Sequence, residues 1–314
     1  MSLLPDEMES VRISRYNATV SFIHRIHPDL MVLRVQPDYQ RSAYQAGQYC
    51  TLGLANFEDR TPGCQEEHLK PDDLPKLVRR SYSISHSFYA DGTVLLRDPG
   101  NDNWLEFYIV LVRENPDGRV PALTPRLFQM QVGDRLQVGE KIVGHFTLEP
   151  VLDKTNAIIL LGTGTGEAPH NSMAADLLRT GHTGPILNAC CVRYAKDLGY
   201  LNTHRELMQQ FPNYKYLPLT TRETTEGGSK KYIQDLIQSG ELEEHLGRSL
   251  DPANAHVFLC GNPKMIGIPA KNKETNLWEY PQPLGVIEIL ERMGFKADNP
   301  TLKVEGNIHF EKYW

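Results

Sequence analysis

The stretch GTGTGEAP (Gly162 to Pro169) follows the apolar run AIILL and opens the helical pattern EAPHNSMAADLLRT. Glycines let a backbone approach an anion closely, and a helix N-terminus offers free N–H groups and a partial positive charge. Gly162, Thr163, Gly164, Thr165 and Gly166 are therefore candidate phosphate binders. A glycine turn in isolation binds nothing; a strand before it and a helix after it are the context that phosphate binding requires. The spacing Gly-x-Gly-x-Gly, followed by Pro169, departs from the Gly-x-Gly-x-x-Gly of ordinary dinucleotide dehydrogenases.

Further strand ends bear on which nucleotide is held. An acid after the second strand suits a ribose 2′-hydroxyl, whereas a 2′-phosphate calls for arginine. The segment CCVRYAKD supplies Arg193, LTTRE supplies Thr221 and Arg222, and GGSKKYIQ supplies Lys230, Lys231 and Tyr232. Each cation alone reads as solvated surface charge. Together they make a pocket for a dianion with a ring to stack on a base, which favours NADP over NAD. VFLCGNPKM puts Cys260 and Gly261 at another strand end; a lone buried cysteine is usually a small apolar filler.

The stretch LVRRSYSISHS (Leu77 to Ser87) sets Arg79 and Arg80 before an alternation of Ser81, Ser83 and Ser85 with Tyr82, Ile84 and His86. That period of two predicts a strand with one small polar face and one bulky face. Hydroxyls, an aromatic and a fixed cation also suit a flat ligand that carries phosphate.

These residues need elements to hold them, and the chain has two grammars. Over residues 1–150 it is written in short strands: NATVSFIHRI, LMVLRVQP, QYCTLGL, RSYSIS, TVLLRD, LEFYIVLV, DRLQVGE and GHFTLEP. Many short strands without helices between them predict an antiparallel barrel or sandwich. The polar, proline-bearing NFEDRTPGCQEEHLKPDDLPK is expected as a surface excursion. Over residues 151–314 strands buried on both faces alternate with helices, which predicts a parallel doubly wound, Rossmann-like α/β sheet that binds ligands at its strand ends.

Composition excludes several classes. The chain has 314 residues, a formal net charge of −6, and is 40% hydrophobic and 23% charged, as expected of a soluble protein without a broad nucleic-acid surface. No apolar run is long enough to span a bilayer, and MSLLPDEMES does not read as a secretory signal. Five cysteines without metal-ligand spacing predict neither a disulfide framework nor a metal or iron–sulfur site. A cytoplasmic protein is expected.

Eight segments in order, RSYS, LEFYIV, GTGTGEAP, VRYAKDLGYL, TTRE, SGELE, CGNPKM and the terminal EKYW, resemble the ferredoxin/flavodoxin–NADP reductases of the bacterial branch over nearly the whole chain. The resemblance implies an FAD-binding antiparallel β-barrel followed by an NADP-binding parallel domain. It places Arg80 at the FAD pyrophosphate, Tyr82 flat against the isoalloxazine and Ser83, beside Ser81, near the reactive ring nitrogen. It assigns Phe107, Tyr108, Ile109 and Val110 to the flavin wall and Thr124 to a flavin phosphate, although GRVPALTPRL carries extra residues there. KKYIQ looks more like the plastid branch, which implies Lys230, Tyr232 and Gln234 at the 2′-phosphate. Tyr313 and Trp314 correspond to residues that stack on FAD, with Tyr313 over the face where nicotinamide enters. Ser83, Cys260 and Tyr313 are thus expected at the reacting rings. IPAKNKETNLWEYPQP (Ile268 to Pro283) is an insertion without an assigned role.

What the resemblance implies is a hydride exchange between NADP(H) and FAD and a one-electron exchange with ferredoxin or flavodoxin by a monomer. A reductase component serving an oxygenase and a nucleotide-binding relative without turnover are the competing readings. His24, His86, His145 and His170 are expected as core or surface residues, not catalysts. An acidic partner would need a local basic patch, for which Arg12, Arg15, Arg25, Lys76 and Arg79 are the candidates.

Overall fold

A computed structural model describes residues 3–86, 88–90, 93–94, 96, 102–115, 117–224, 230–299 and 304–312. The chain divides into two compact units, Met1–Ser87 with Asp98–His145, and Phe88–Arg97 with Phe146–Trp314.

The first unit opens with α1 (Pro5–Arg15), which begins on a proline whose missing N–H costs nothing at a helix start. The Glu7 carboxylate accepts from the Leu4 N–H at 2.8 Å. No residue of α1 is buried. Its far end is tied down instead: the Arg12 guanidinium donates twice to Glu58, both at 2.9 Å, and the Tyr16 hydroxyl donates to the same carboxylate at 2.8 Å.

The hairpin β1 (Ala18–His27) and β2 (Leu30–Pro37) follows, then β3 (Tyr49–Ala55) and β4 (Leu77–Ser83). A small hairpin, β5 (Tyr89–Ala90) with β6 (Thr93–Val94), belongs to the second unit, after which β7 (Leu105–Val110), α2 (Thr124–Leu127) and β8 (Arg135–Val138) complete the first. The sheet order is β4-β3-β8-β1-β2-β7 with antiparallel neighbours. Just past β4, the Ser85 N–H donates to the Glu106 carbonyl of β7 at 2.8 Å, so the outer strands meet and the sheet closes into a barrel. Alternate residues such as Met31, Leu33, Leu52, Phe107, Ile109 and Leu136 fill its interior.

Two sequence expectations change here. The alternation read from Ser81 to His86 stops early: β4 ends at Ser83, and Ser83, Ile84, Ser85 and His86 are all buried because the chain turns inward to make the seam. GHFTLEP forms no strand; Gly144 adopts φ +129°, which breaks the extended run. The polar excursion after β3 is anchored more firmly than its composition predicts. Arg126 of α2 is 2% exposed, donating to Glu67 at 2.6 Å and to the Ala122 carbonyl at 2.6 Å, while Arg60 pairs with Glu67 at 2.8 Å.

In the second unit β9 (Ala157–Thr163) leads through a 3-10 turn, Gly164–Gly166, into α3 (Glu167–Arg179). Then come β10 (Ile186–Val192), α4 (Leu201–Gln210), β11 (Tyr214–Thr220), α5 (Ile233–Gln238), α6 (Glu241–Leu246), β12 (Ala255–Gly261) and α7 (Pro263–Ile266). A hairpin of β13 (Ala270–Lys271) and β14 (Trp278–Glu279), α8 (Val286–Arg292) and β15 (Ile308–Lys312) finish the unit. The sheet is parallel with order β11-β10-β9-β12-β15. The chain winds outward from β9 to β11, then returns to place β12 on the other side of β9, and the carboxyl ends of β9 and β12 form the switch point. The residues of one sheet face, such as Ile159, Leu161, Leu187, Val257 and Leu259, pack with α5, α6 and α8 in an apolar core. The insertion after CGNPKM is this β13–β14 hairpin, with Leu277 and Trp278 exposed.

Candidate functional site

At the switch point the sequence folds as its glycines require. Gly164 is exposed with φ +55° and open space where a Cβ would stand. A Cβ on Gly166 would lie 2.3 Å from the Cys260 carbonyl oxygen, and one on Gly261, at φ +123°, would lie 2.2 Å from Thr163 Oγ1. The ends of β9 and β12 thus touch backbone to backbone. The Asn262 N–H donates to Thr163 Oγ1 at 2.7 Å, while the Asn262 side chain accepts from the Lys264 N–H and starts α7. Gly162, Thr163, Gly164, Thr165, Gly166, Cys260 and Gly261 therefore share one small region, where an open turn leads into the N-terminus of α3.

The cationic stations lie at the next strand ends. Arg193 and Arg222 are brought together by the Arg222 N–H, which donates to the Arg193 carbonyl at 3.0 Å, and Thr221 N–H donates likewise to Val192 at 3.0 Å. Arg193, Arg222 and Lys230 are exposed and form no ion pair among the described residues. Lys230 bridges Thr220 through the backbone, so it stands beside the TTRE turn. Lys231 is spent differently: it pairs with Glu241, whose carboxyl that hydrogen bond holds below its ordinary pKa. Tyr232 is 59% exposed at the start of α5, available to stack on a ring. Gln234, two residues on, donates to the Leu284 carbonyl at 3.4 Å, just after the inserted segment.

The donor set fits a nucleotide bearing a 2′-phosphate: an open glycine turn at a helix start, then two exposed arginines and a lysine beside an exposed tyrosine.

In the first unit Arg80 and Ser81 are exposed, Tyr82 is half-buried and Ser83 is buried. The register pairs Leu52 with Arg80 and Cys50 with Tyr82. Tyr82 meets Phe107 edge-on, ring centroids 6.4 Å apart, near the seam where the two outer strands meet. The wall segment splits by strand period. Phe107 and Ile109 point into the core, whereas Tyr108 and Val110 take the other face, Val110 exposed. Thr124 stands at the start of α2 and its hydroxyl accepts from the Val112 N–H at 3.1 Å, which brings it beside the end of β7. The Arg80 guanidinium donates to its neighbour's carbonyl at 2.8 Å and forms no ion pair among the described residues, as an anion-binding arginine requires. Tyr313 and Trp314 lie outside the described residues.

Sequence reasoning gave Glu311, the first residue of EKYW, no role. The parallel register sets it opposite Cys260, and the signal was the strand pattern NIHF that runs into EKYW. It also missed Glu167, fully buried at the start of α3. Of the basic-patch candidates, Arg12 is engaged by Glu58 and Lys76 by Asp73, whereas Arg15, Arg25 and Arg79 are exposed cations without an ion pair among the described residues, Arg25 donating to the Met130 carbonyl and Arg79 to the Gln137 side chain, each at 3.1 Å. His170 and His86 are buried as expected of core residues. No group of three or more His, Cys, Asp or Glu side chains among the described residues is placed to hold a metal ion, and no helix there is long and apolar enough to cross a membrane.

Comparison with known proteins agrees with this geometry. Residues 160–271 match the family model described as an oxidoreductase NAD-binding domain. The chain is 33% identical over 227 residues to a flavodoxin/ferredoxin–NADP reductase of Shigella flexneri, covering 71% of this chain and 76% of the relative. It is 27% identical to a protein of the same description from Buchnera aphidicola subsp. Schizaphis graminum, covering 95% and 98%. A ferredoxin NADP+ reductase from Neisseria gonorrhoeae, solved with bound FAD and NADP, shares the fold with a TM-score of 0.68 at 20% identity, over 94% of this chain and 97% of that one.

Proposed function

Because this chain belongs to the flavodoxin/ferredoxin–NADP reductase family, we propose that it is an FAD-dependent ferredoxin (or flavodoxin)–NADP reductase, an oxidoreductase of the EC 1.18.1.2 type. The observation that carries the reading is the switch point: an open glycine turn at the head of α3, packed against the Cys260–Gly261 strand end and followed by exposed Arg193 and Arg222.

Arg80 would hold the FAD pyrophosphate, with Tyr82, Ser83 and the face of β7 that carries Tyr108 and Val110 at the ring. The glycine turn would hold the pyrophosphate of NADP(H), and Arg193, Thr221, Arg222, Lys230, Tyr232 and Gln234 its adenosine 2′-phosphate end. Bound there, the flavin supplies the redox chemistry, exchanging a hydride with nicotinamide and single electrons with a small protein. The chain's own part is to position and exclude, with Cys260 fully buried at the end of β12, beside the proposed nicotinamide end. Residues 1–150 serve as the FAD half and 151–314 as the NADP half, in a monomeric cytoplasmic enzyme whose partner docks against Arg15, Arg25 and Arg79.

Purified protein should be yellow, reduce ferricyanide with NADPH and then show turnover with one member of a panel of ferredoxins and flavodoxins. A colourless protein without NADPH-dependent turnover overturns the reading.

A further inference from the structure

The two faces of the parallel sheet differ in kind. One is apolar, but the face covered by α3 and α4 carries Glu167, Asn188, Cys190, His204, Tyr214 and Tyr216, each no more than 3% exposed. Burying polar side chains costs free energy that an apolar core would not, even when they are hydrogen-bonded. The cluster lies directly beneath the glycine turn, because the Cys190 thiol donates to the Gly164 carbonyl at 3.9 Å and Glu167 is the residue that follows Gly166.

Its bonds run in one direction. Asn188 Nδ2 donates to the Tyr214 hydroxyl at 3.1 Å, and that hydroxyl meets His204 Nδ1 at 2.8 Å. His204 Nε2 meets Glu167 Oε1 at 3.1 Å, and the Tyr216 hydroxyl donates to the same oxygen at 2.7 Å. Where Tyr214 donates to Nδ1, the single proton of a neutral His204 ring lies on Nε2, toward Glu167, and an ionised Glu167 gives the pair one negative charge. Glu167 Oε2 is buried without a hydrogen-bond partner. Among the described residues the titratable groups around Glu167 include His204 from α4, Tyr216 and, through His204, Tyr214 from β11, Cys190 from β10, and Tyr200 just before α4, whose ring lies 6.4 Å from that of His204. No lysine or arginine there pairs with it. Burial, reinforced by the Glu167 charge, pushes the Cys190 thiol well above its ordinary pKa.

That negative charge sits on the first turn of α3, where the helix's partial positive charge stabilises it. The turn is also where the proposed function puts the phosphates of the nucleotide, and this inference rests on that reading. Two anions then compete for one helix end in a low-dielectric setting, and like charges favour protonation of the weaker acid. We infer that nucleotide binding is proton-linked: when phosphates occupy the Gly164–Gly166 turn, the Glu167–His204 pair takes up a proton from the buffer, at Glu167 Oε2. Glu167 is thereby a positioning residue that makes NADP affinity depend on pH.

The test is calorimetric titration of NADP+ into the oxidised holoenzyme in buffers of different ionisation enthalpy, for wild type and Glu167→Gln. Subtracting one protein from the other removes the contribution of the ligand's own 2′-phosphate. Over a pH series wild type should take up more protons than the variant, up to about one, and its affinity should fall up to about tenfold more per unit rise in pH. Equal proton numbers in the two proteins overturn the inference and leave the function intact. Absence of NADP+ binding by the wild type overturns both. If circular dichroism shows Glu167→Gln unfolded, Tyr216→Phe replaces it. Removing that donor raises the carboxyl's proton affinity, so the midpoint of the affinity–pH curve should move up, and an unmoved midpoint overturns the inference.

Discussion

Asn262 donates its backbone N–H to Thr163 Oγ1 at 2.7 Å, and this bond joins the two strand ends on either side of the switch point. Thr163 lies within the glycine turn's approach and Asn262 follows Cys260 and Gly261, so the phosphate end and the nicotinamide end of the proposed site share one hydrogen bond. The surrounding glycines make room for it.

Gly166→Ala would push a methyl to 2.3 Å from a backbone oxygen of Cys260, which cannot swing away as a flexible side chain would. We expect a loss of about 1–3 kcal/mol in stability and a raised KM for NADPH, measured by urea denaturation and steady-state kinetics. A variant as stable as wild type would mean that the strand ends separate easily.

Arg222→Ala removes an exposed guanidinium that no carboxylate engages among the described residues. A charge-assisted bond to a 2′-phosphate accounts for roughly 10–100-fold in affinity, so KM for NADPH should rise by that factor while KM for NADH stays put. Equal losses for both nucleotides would remove Arg222 from the 2′-phosphate site.

Glu67 lies between Arg126 and Arg60. Burial pushes its carboxyl up, but hydrogen bonds from Arg126 and then Arg60 outweigh it, and the net pKa falls below 4.5. A carboxyl depressed in the folded state stabilises above its unfolded pKa, and the benefit fades as pH drops through the folded value. Glu67→Gln leaves the Arg126 charge buried and should cost about 3 kcal/mol at pH 7, with the deficit narrowing under acid. Denaturation curves at pH 7 and in acid measure both arms.

His170 is buried with neither ring nitrogen hydrogen-bonded, and burial pushes its pKa from 6.5 down to about 3. The unfolded chain therefore binds a proton that the folded one refuses, so stability is full above the unfolded pKa and declines as pH falls from there towards 3. Between pH 7.5 and 5 this group should account for about 2 kcal/mol of lost stability. His170→Phe, whose ring would keep the contact with Phe146, should flatten that limb of the curve. An unchanged slope would show that the unfolded and folded histidines titrate alike.

How much of this was legible in the residues varies with the kind of signal. LMVLRVQP coincides with β2, and LEFYIVLV contains β7 and overruns it by two residues, because β-branched and aromatic residues favour strands. GTGTGEAP was readable because its backbone conformation restricts which residues can form it. By contrast, α1 buries nothing, so it leaves no hydrophobic period to detect. The seam at Ser85 was hidden by an alternation that continues in the letters after the strand has ended. The polar cluster was the least visible part. Glu167, Asn188, His204, Tyr214 and Tyr216 are scattered along the chain, and tertiary pairing, which has no period, is what makes them a unit.

The barrel's closure has a mechanical meaning. The strand bearing Arg80 to Ser83 and the strand bearing Phe107 to Val110 are the two ends of the sheet, stitched at Ser85 and Glu106. A prosthetic group that grips both strands would act as a rivet across the narrowest joint of the shell. Stripping it out should let that joint breathe before any other, which amide exchange at Ser85 in flavin-free and flavin-loaded protein would register as the earliest loss of protection.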